Sequence, residues 1–333
     1  MEKMPEQLKD FRNFMYIVWK HLNLPDPTPV QYDMADYIQS CPRRAIIEAF
    51  RGVGKSYITA AFVVHQLLLD PQKKFMVVSA SKQRADDFST FTQRLILELP
   101  ICQHLIATSE QRWSKIAFDV RPALASGSPS VKSVGITGQL TGSRADIIIA
   151  DDIEVPNNSM TQMMREKLSE AVKEFDAVLK PEGKILYLGT PQCEMSLYNT
   201  LTERGYKMRV WTARYPSIDD ANKAYGDRLA PTLWDAMHKA ESPLDGNPVD
   251  PMRFDDDDLM ERELSYGRSG FALQFMLDTS LSDTDRYPLK LSDLMVMSID
   301  KDKAPEKLVY GVMKEIKELP NVGLGGDKYF APE

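Results

Sequence analysis

The chain has 333 residues, enough for about two domains, each with a packed core. Lysine and arginine total 41 against 48 aspartate and glutamate, a formal charge of −7. This excludes a globally basic nucleic-acid coat while leaving room for a local basic stripe. Hydrophobic residues at 43% and charged residues at 27% set aside disordered, collagenous and coiled-coil classes.

The N-terminal residues Met1 to Asp10 are polar and partly acidic, and no apolar run approaches the roughly 18 to 20 residues of a membrane span. A chain that is neither secreted nor membrane-anchored is expected. Cys41, Cys102 and Cys193 lie far apart with no short-spaced Cys or His partner, so a reduced, intracellular protein without a zinc site is expected.

An amphipathic segment, Phe11 to Leu24, precedes a proline-broken connector, Pro25 to Pro29. Short apolar runs then read as buried strands at Ala45–Ala49, Phe75–Ala80, Ile147–Ala150 and Ile185–Gly189, with a more alternating one at Tyr206–Thr212. Helical stripes fill the gaps, one from Ile58 to Leu69 and one from Met164 to Leu179. Strands alternating with helices predict an α/β core over about 40–215, a mostly parallel sheet flanked by helices. Beyond Tyr215 the strand signal fades into Pro, Asp and Gly, followed by a helical segment from about Asp255 to Asp278 and a loop-rich tail. The expected division is 1–215 as the α/β core with its N-terminal helical segment, 216–318 as lid or linker subdomain and 319–333 as a linker.

Ala49-Phe50-Arg51-Gly52-Val53-Gly54-Lys55-Ser56 fits the GxxxxGK[ST] phosphate loop, with Ala49 in the first glycine position. A strand runs into it and a helix leaves it, so backbone N–H groups converge on phosphate oxygens. Lys55 supplies a cation to the β and γ phosphates, and the Ser56 hydroxyl is a Mg²⁺ ligand. The acidic partner is Ile147-Ile148-Ile149-Ala150-Asp151-Asp152, where Asp151 is expected to hold the metal and Asp152 to activate water. Glu154 is the rival base, since side chains two apart in a strand share a face.

Arg51, inside the loop, reads either as an arginine finger in cis that stabilises γ-phosphate charge or as a solvated arginine. Thr28-Pro29-Val30-Gln31 reads either as an adenine contact through the Gln31 amide or as a proline-bounded turn. Thr190, in Leu188-Gly189-Thr190-Pro191-Gln192, reads either as a γ-phosphate sensor or as a strand stop. Arg144 is placed to reach a neighbouring subunit's nucleotide or DNA, or to pair with Asp146 or Asp152. Asp255 to Asp258 read as a helix cap rather than a metal cluster, and His21, His65, His104 and His238 are too scattered for zinc or triad chemistry. His65 is expected in core or edge, and Phe271, Phe275 and Met276 as packing.

The blocks Phe50–Ser56, Val78–Lys82, Ser130–Asp146, Leu188–Pro191, Gly270–Leu277 and Leu319–Leu324 closely resemble the large terminase subunit of T-seven-like tailed phages. The resemblance implies a RecA-like P-loop ATPase of the additional-strand type that uses ATP and Mg²⁺. It implies a motor that translocates double-stranded DNA into an empty capsid through the portal protein. The motor works as a homo-oligomeric ring, expected as a pentamer, with the small terminase subunit as partner. By the resemblance Arg51, Lys55, Ser56, Asp151, Asp152 and Thr190 take the roles given above, Gln31 contacts adenine and Arg144 acts in trans. It also places the protein in the cytoplasm of an infected bacterium, docked on the procapsid and absent from the mature virion. Ala49 suits terminases, which often lack the first glycine. The family carries a C-terminal nuclease domain of the ribonuclease H type. Because the chain stops at Glu333, no DNA cleavage is expected. The rival readings are a helicase-like DNA-remodelling ATPase and a nucleotide-dependent adaptor without turnover.

Overall fold

The computed structural model describes residues 5–193 and 195–279, together with the backbone of strands at 307–312, 315–320 and 328–330. Contacts divide the chain into two units, Met1–Asp283 and Thr284–Glu333.

The first unit opens with α1 (Phe11–His21), α2 (Pro29–Ser40), β1 (Arg44–Ala49), α3 (Lys55–Leu69), β2 (Phe75–Ser79) and α4 (Lys82–Glu98). It continues through β3 (Ala117–Phe118), β4 (Val131–Gly135), β5 (Ala145–Asp151), α5 (Pro156–Ser159), α6 (Gln162–Ala171) and α7 (Glu174–Val178). The remaining elements are β6 (Leu179–Gly189), α8 (Leu197–Glu203), β7 (Lys207–Trp211), α9 (Ile218–Asp220), α10 (Pro231–Lys239) and α11 (Asp256–Phe271). The strands form one sheet of order β3-β4-β2-β5-β6-β1-β7. Every pairing is parallel except the edge pair β3–β4.

The apolar runs become strands because both faces of the sheet are covered. Ile46, Ile47, Val77, Val78, Ile148, Ile149, Leu186 and Leu188 are fully buried. Helix α3 is buried on every side from Ile58 to Leu68, and His65 lies within it, between the rings of Phe11 and Phe14 and bonded to the Leu8 carbonyl. The stripe expected from Met164 to Leu179 is buried at Leu168, Val172, Phe175 and Val178, but its backbone breaks between α6 and α7 and has turned to strand by Leu179. β4 escapes pattern reading because Lys132 and Ser133 interrupt its apolar residues.

Parallel pairing sets the C-terminal ends of the six strands other than β3 on one edge. Asp151 lies opposite Leu188, and Gly189 lies opposite Glu48. The strand carrying Gly189-Thr190 is therefore inserted between the phosphate-loop strand and the acidic strand. That edge is where ligands bind in open α/β sheets.

The segment after residue 215, expected as a lid, falls in the same unit as the core up to Asp283. It is stitched there by backbone bonds: the Ala213 N–H donates to the Phe275 carbonyl, and the Val249 N–H donates to the Ala213 carbonyl. Asp255 caps α11 by accepting the Asp258 N–H, and Phe271 and Phe275 stack with centroids 4.9 Å apart. In the second unit, β8 (Lys307–Val312) pairs antiparallel with β9 (Glu315–Pro320) and parallel with β10 (Lys328–Phe330). The stretch 319–333, expected as a linker, thus begins inside β9 and includes β10. The Gly323–Asp327 part of it lies outside the described residues.

Candidate active site

The phosphate loop connects β1 to α3, and its glycines are required by geometry. Gly52 and Gly54 have φ of +91° and +98°, left-handed values that a side chain resists. A Cβ on Gly52 would also lie 2.9 Å from the Phe254 ring. Ala49, by contrast, is still a strand residue, paired with Trp211, so the first position of the motif needs no glycine.

Within this loop Lys55 is buried, its ammonium donating to the carbonyls of Ala49 at 2.5 Å and Phe50 at 3.3 Å. Burial pulls the ammonium below the ordinary lysine value, while Asp152 and Asp151 pull it back up. The Ser56 hydroxyl donates to both oxygens of Asp151, at 3.3 and 3.1 Å. Burial pushes Asp151 up to about 7, with the Asp152 charge next, against the Ser56 bond and the charges of Lys55 and Arg84. A buried carboxylate that strains to lose its charge, beside a hydroxyl and a second carboxylate, fits a hard dication with oxygen ligands. No group of three His, Cys, Asp or Glu side chains forms a metal centre among the described residues. A Mg²⁺ ion would thus be held by Ser56 and Asp151 together with nucleotide phosphates.

The two candidate bases part company because β5 ends at Asp151. Asp152 turns into the left-handed region, with φ +46°, and its side chain lines a cavity of about 800 Å³ with Arg51, Arg84, Gln192, Tyr266 and Gln274. Glu154 also borders that cavity, but its carboxylate is committed. It accepts the Gln192 N–H at 2.9 Å, the Ser196 hydroxyl at 3.0 Å and the Leu197 N–H at 2.6 Å, tying down the start of α8. Burial raises the Glu154 pKa, and these bonds oppose the rise. The strand alternation expected for these two acids therefore does not extend past Asp151.

Arg51 is held by a residue that sequence reading missed. Its backbone N–H donates to the Gln274 carbonyl at 3.0 Å and its guanidinium to the Gln274 side-chain oxygen at 3.2 Å. Arg253 and Phe254 were also missed: the Arg253 guanidinium donates to the Gly52 and Val53 carbonyls, and Phe254 meets Phe50 edge-on at 5.3 Å. Gln274 had a signal, being the polar residue inside the apolar run Phe271 to Met276. Arg253 and Phe254, after a Pro-Met turn, had none.

Gln31 occupies a capping box at the start of α2, accepting the Thr28 N–H at 3.1 Å, and its amide donates to the Val53 carbonyl at 2.8 Å. A cavity of about 230 Å³ lies beside it, walled by Trp19, Pro25, Tyr57 and Arg253. Thr190 is buried at the end of β6, and its carbonyl accepts the Gln192 amide at 3.0 Å. Arg144 is not brought to this edge. It precedes β5 at the opposite end of the sheet, where its guanidinium donates to the Ala177 carbonyl. The expected pairing of Arg144 with Asp146 or Asp152 is not formed. Asp146 instead pairs with Lys180 at 2.9 Å and accepts the Lys74 N–H.

A phosphate loop, an acidic strand end and a strand inserted between them define the additional-strand class of RecA-like P-loop folds. Within that class, the chain is 52% identical over 328 residues to the large terminase subunit of Enterobacteria phage T3, an alignment covering 96% of this chain. The chain belongs to the large terminase subunit family. It spans 56% of the length of that relative. Among solved structures, the large terminase ATPase domain of Thermus phage P74-26 aligns with a TM-score of 0.43 at 14% identity, covering 78% of this chain and 96% of that one. The large terminase of bacteriophage HK97 aligns with a TM-score of 0.41 at 14% identity, covering 67% and 43%. No protein-family model matches the chain.

Proposed function

We propose that this chain is the ATP-hydrolysing part of a viral DNA-packaging motor. The observation that carries the reading is the Ser56–Asp151 pair standing beside buried Lys55 on the ligand-binding edge of the sheet. When ATP arrives, Lys55 leaves its two carbonyls for the β and γ phosphates, and the loop N–H groups take the remaining oxygens. Mg²⁺ would neutralise phosphate charge at Ser56 and Asp151. Asp152, at the open cavity, orients and deprotonates the attacking water, while Glu154 keeps its structural bonds. Arg51 exchanges Gln274 for the γ-phosphate as charge develops.

The relative's name supports placing this hydrolysis in a terminase, and the motor's work is then translocation of double-stranded DNA through the portal of an empty capsid. The chain acts in a homo-oligomeric ring, a pentamer, with the small terminase subunit, docked on the procapsid in the host cytoplasm. Gln31 and the small cavity beside it receive the adenine, and Thr190 senses loss of the γ-phosphate. Arg144, remote from its own nucleotide, is available to a neighbouring subunit's. The segment 216–318 serves as lid or linker. No described helix is long and apolar enough to cross a membrane.

The test is steady-state ATP hydrolysis with and without double-stranded DNA and portal-bearing capsids, comparing wild type with Lys55→Ala and Asp152→Asn. Hydrolysis that rises with those partners and vanishes in both variants is expected. ATP binding without turnover under every condition would favour the adaptor.

A further inference from the structure

The cavity at Asp152 has a cation that the proposed mechanism does not use. Arg84 stands in the first turn of α4, which Ser81 caps by accepting the Arg84 N–H at 3.3 Å. Arg84 is exposed, lines the same 800 Å³ cavity as Asp152 and Arg51, and its side chain forms no hydrogen bond or ion pair among the described residues. The other cations near the loop are engaged. Lys55 is on two carbonyls, Arg51 on Gln274, Arg253 on Gly52 and Val53, and Lys82 on Asp86.

The cavity's position says which part of a nucleotide Arg84 would meet. The base-side cavity at Trp19, Tyr57 and Gln31 shares no lining residue with it. The Asp152 cavity instead contains the water-activating acid and the in-loop arginine, so a nucleotide running along the loop presents its terminal phosphate here. A guanidinium is suited to two oxygens of one phosphate at once, and one carried on a capped helix is already positioned.

Resting on the ATPase reading, we infer that Arg84 binds the γ-phosphate of ATP within its own subunit, as a third cation beside Lys55 and Arg51. It thereby makes the site favour triphosphate over diphosphate. ADP has no group at that position, so Arg84 contributes to ATP affinity and not to ADP affinity.

The experiment is isothermal titration of the full chain with the non-hydrolysable analogue AMP-PNP and with ADP, both with Mg²⁺, for wild type, Arg84→Ala and Arg84→Lys. Loss of a charge-assisted phosphate contact predicts that Arg84→Ala weakens AMP-PNP binding about tenfold or more and leaves ADP unchanged. Arg84→Lys should recover part of the loss. Equal weakening for both nucleotides, or none for either, overturns the inference, as does a defect confined to binding of double-stranded DNA. A wild-type chain that binds neither nucleotide removes the ATPase reading along with it. Normal wild-type binding with an unaffected variant removes the Arg84 inference alone.

Discussion

Arg51 and Gln274, 223 residues apart, are joined twice, backbone to backbone and side chain to side chain. The guanidinium that the proposed mechanism sends to the γ-phosphate is thus parked on the segment that follows the sheet. Gln274→Ala removes the side-chain hold and leaves the backbone bond. Basal ATP hydrolysis is expected to rise a few-fold, and its stimulation by DNA to shrink, because the guanidinium no longer exchanges partners. Because the effect runs through Arg51, Gln274→Ala in an Arg51→Ala background should change nothing further. Additive changes in that double-mutant cycle would show that Gln274 acts elsewhere.

Gly52 tests the packing of the same segment against the loop. Its φ of +91° and the 2.9 Å approach of a Cβ to Phe254 both oppose any side chain. Gly52→Ala is expected to cost roughly 1–3 kcal/mol of stability in urea titration. Phe254→Leu in the same chain should recover the steric part and leave the backbone strain. Unchanged stability in the single variant would mean that the loop relaxes freely.

Much of this site is legible in sequence because its chemistry is contiguous: Lys55 and Ser56 sit in one loop, and Asp151 ends one apolar run. What stays hidden comes from geometry. The choice between Asp152 and Glu154 depends on a left-handed residue at Asp152, which no alternation rule reveals. Arg144 is only seven residues from Asp151, yet the intervening strand, at about 3.3 Å per residue, carries it to the far end of the sheet. Thr28-Pro29-Val30-Gln31 allows a base contact or a proline-bounded turn, and the bond of the Gln31 amide to the Val53 carbonyl, 22 residues on, is invisible to either reading. The contacts of Gln274, Arg253 and Phe254 with the loop join residues about two hundred positions apart, where no local pattern reaches.

The two acids that follow Asp151 in the chain, Asp152 and Glu154, should separate cleanly by phenotype. Asp152→Asn keeps the shape and removes the proposed base, so turnover is expected to fall by about 10²–10⁴-fold while ATP binding and thermal stability hold. Glu154→Gln puts an amide where oxygens accept three bonds, leaving a buried donor facing donors, and should cost about 1–3 kcal/mol of stability. Melting temperatures beside single-turnover rates decide the matter. A Glu154→Gln chain with normal stability and no turnover would reverse the two roles.

Glu48 gives a prediction with a definite sign. It is buried on β1 one residue before the loop, with Oε1 unpartnered, and burial pushes its carboxyl up to about 8, with Arg228 opposing. Below about pH 4.5 the group is neutral in folded and unfolded chains alike, and its contribution to stability is fully present. As pH rises from there towards 8, the unfolded chain ionises while the folded chain holds the proton. Stability is then lost at about 1.4 kcal/mol per pH unit, approaching roughly 4 kcal/mol. Glu48→Gln cannot ionise in either state, so its stability relative to wild type should climb steadily between pH 5 and pH 8. Urea denaturation at those two values measures the difference. Parallel pH profiles for the two chains would mean that Glu48 is charged in the folded protein and that Arg228 holds it so.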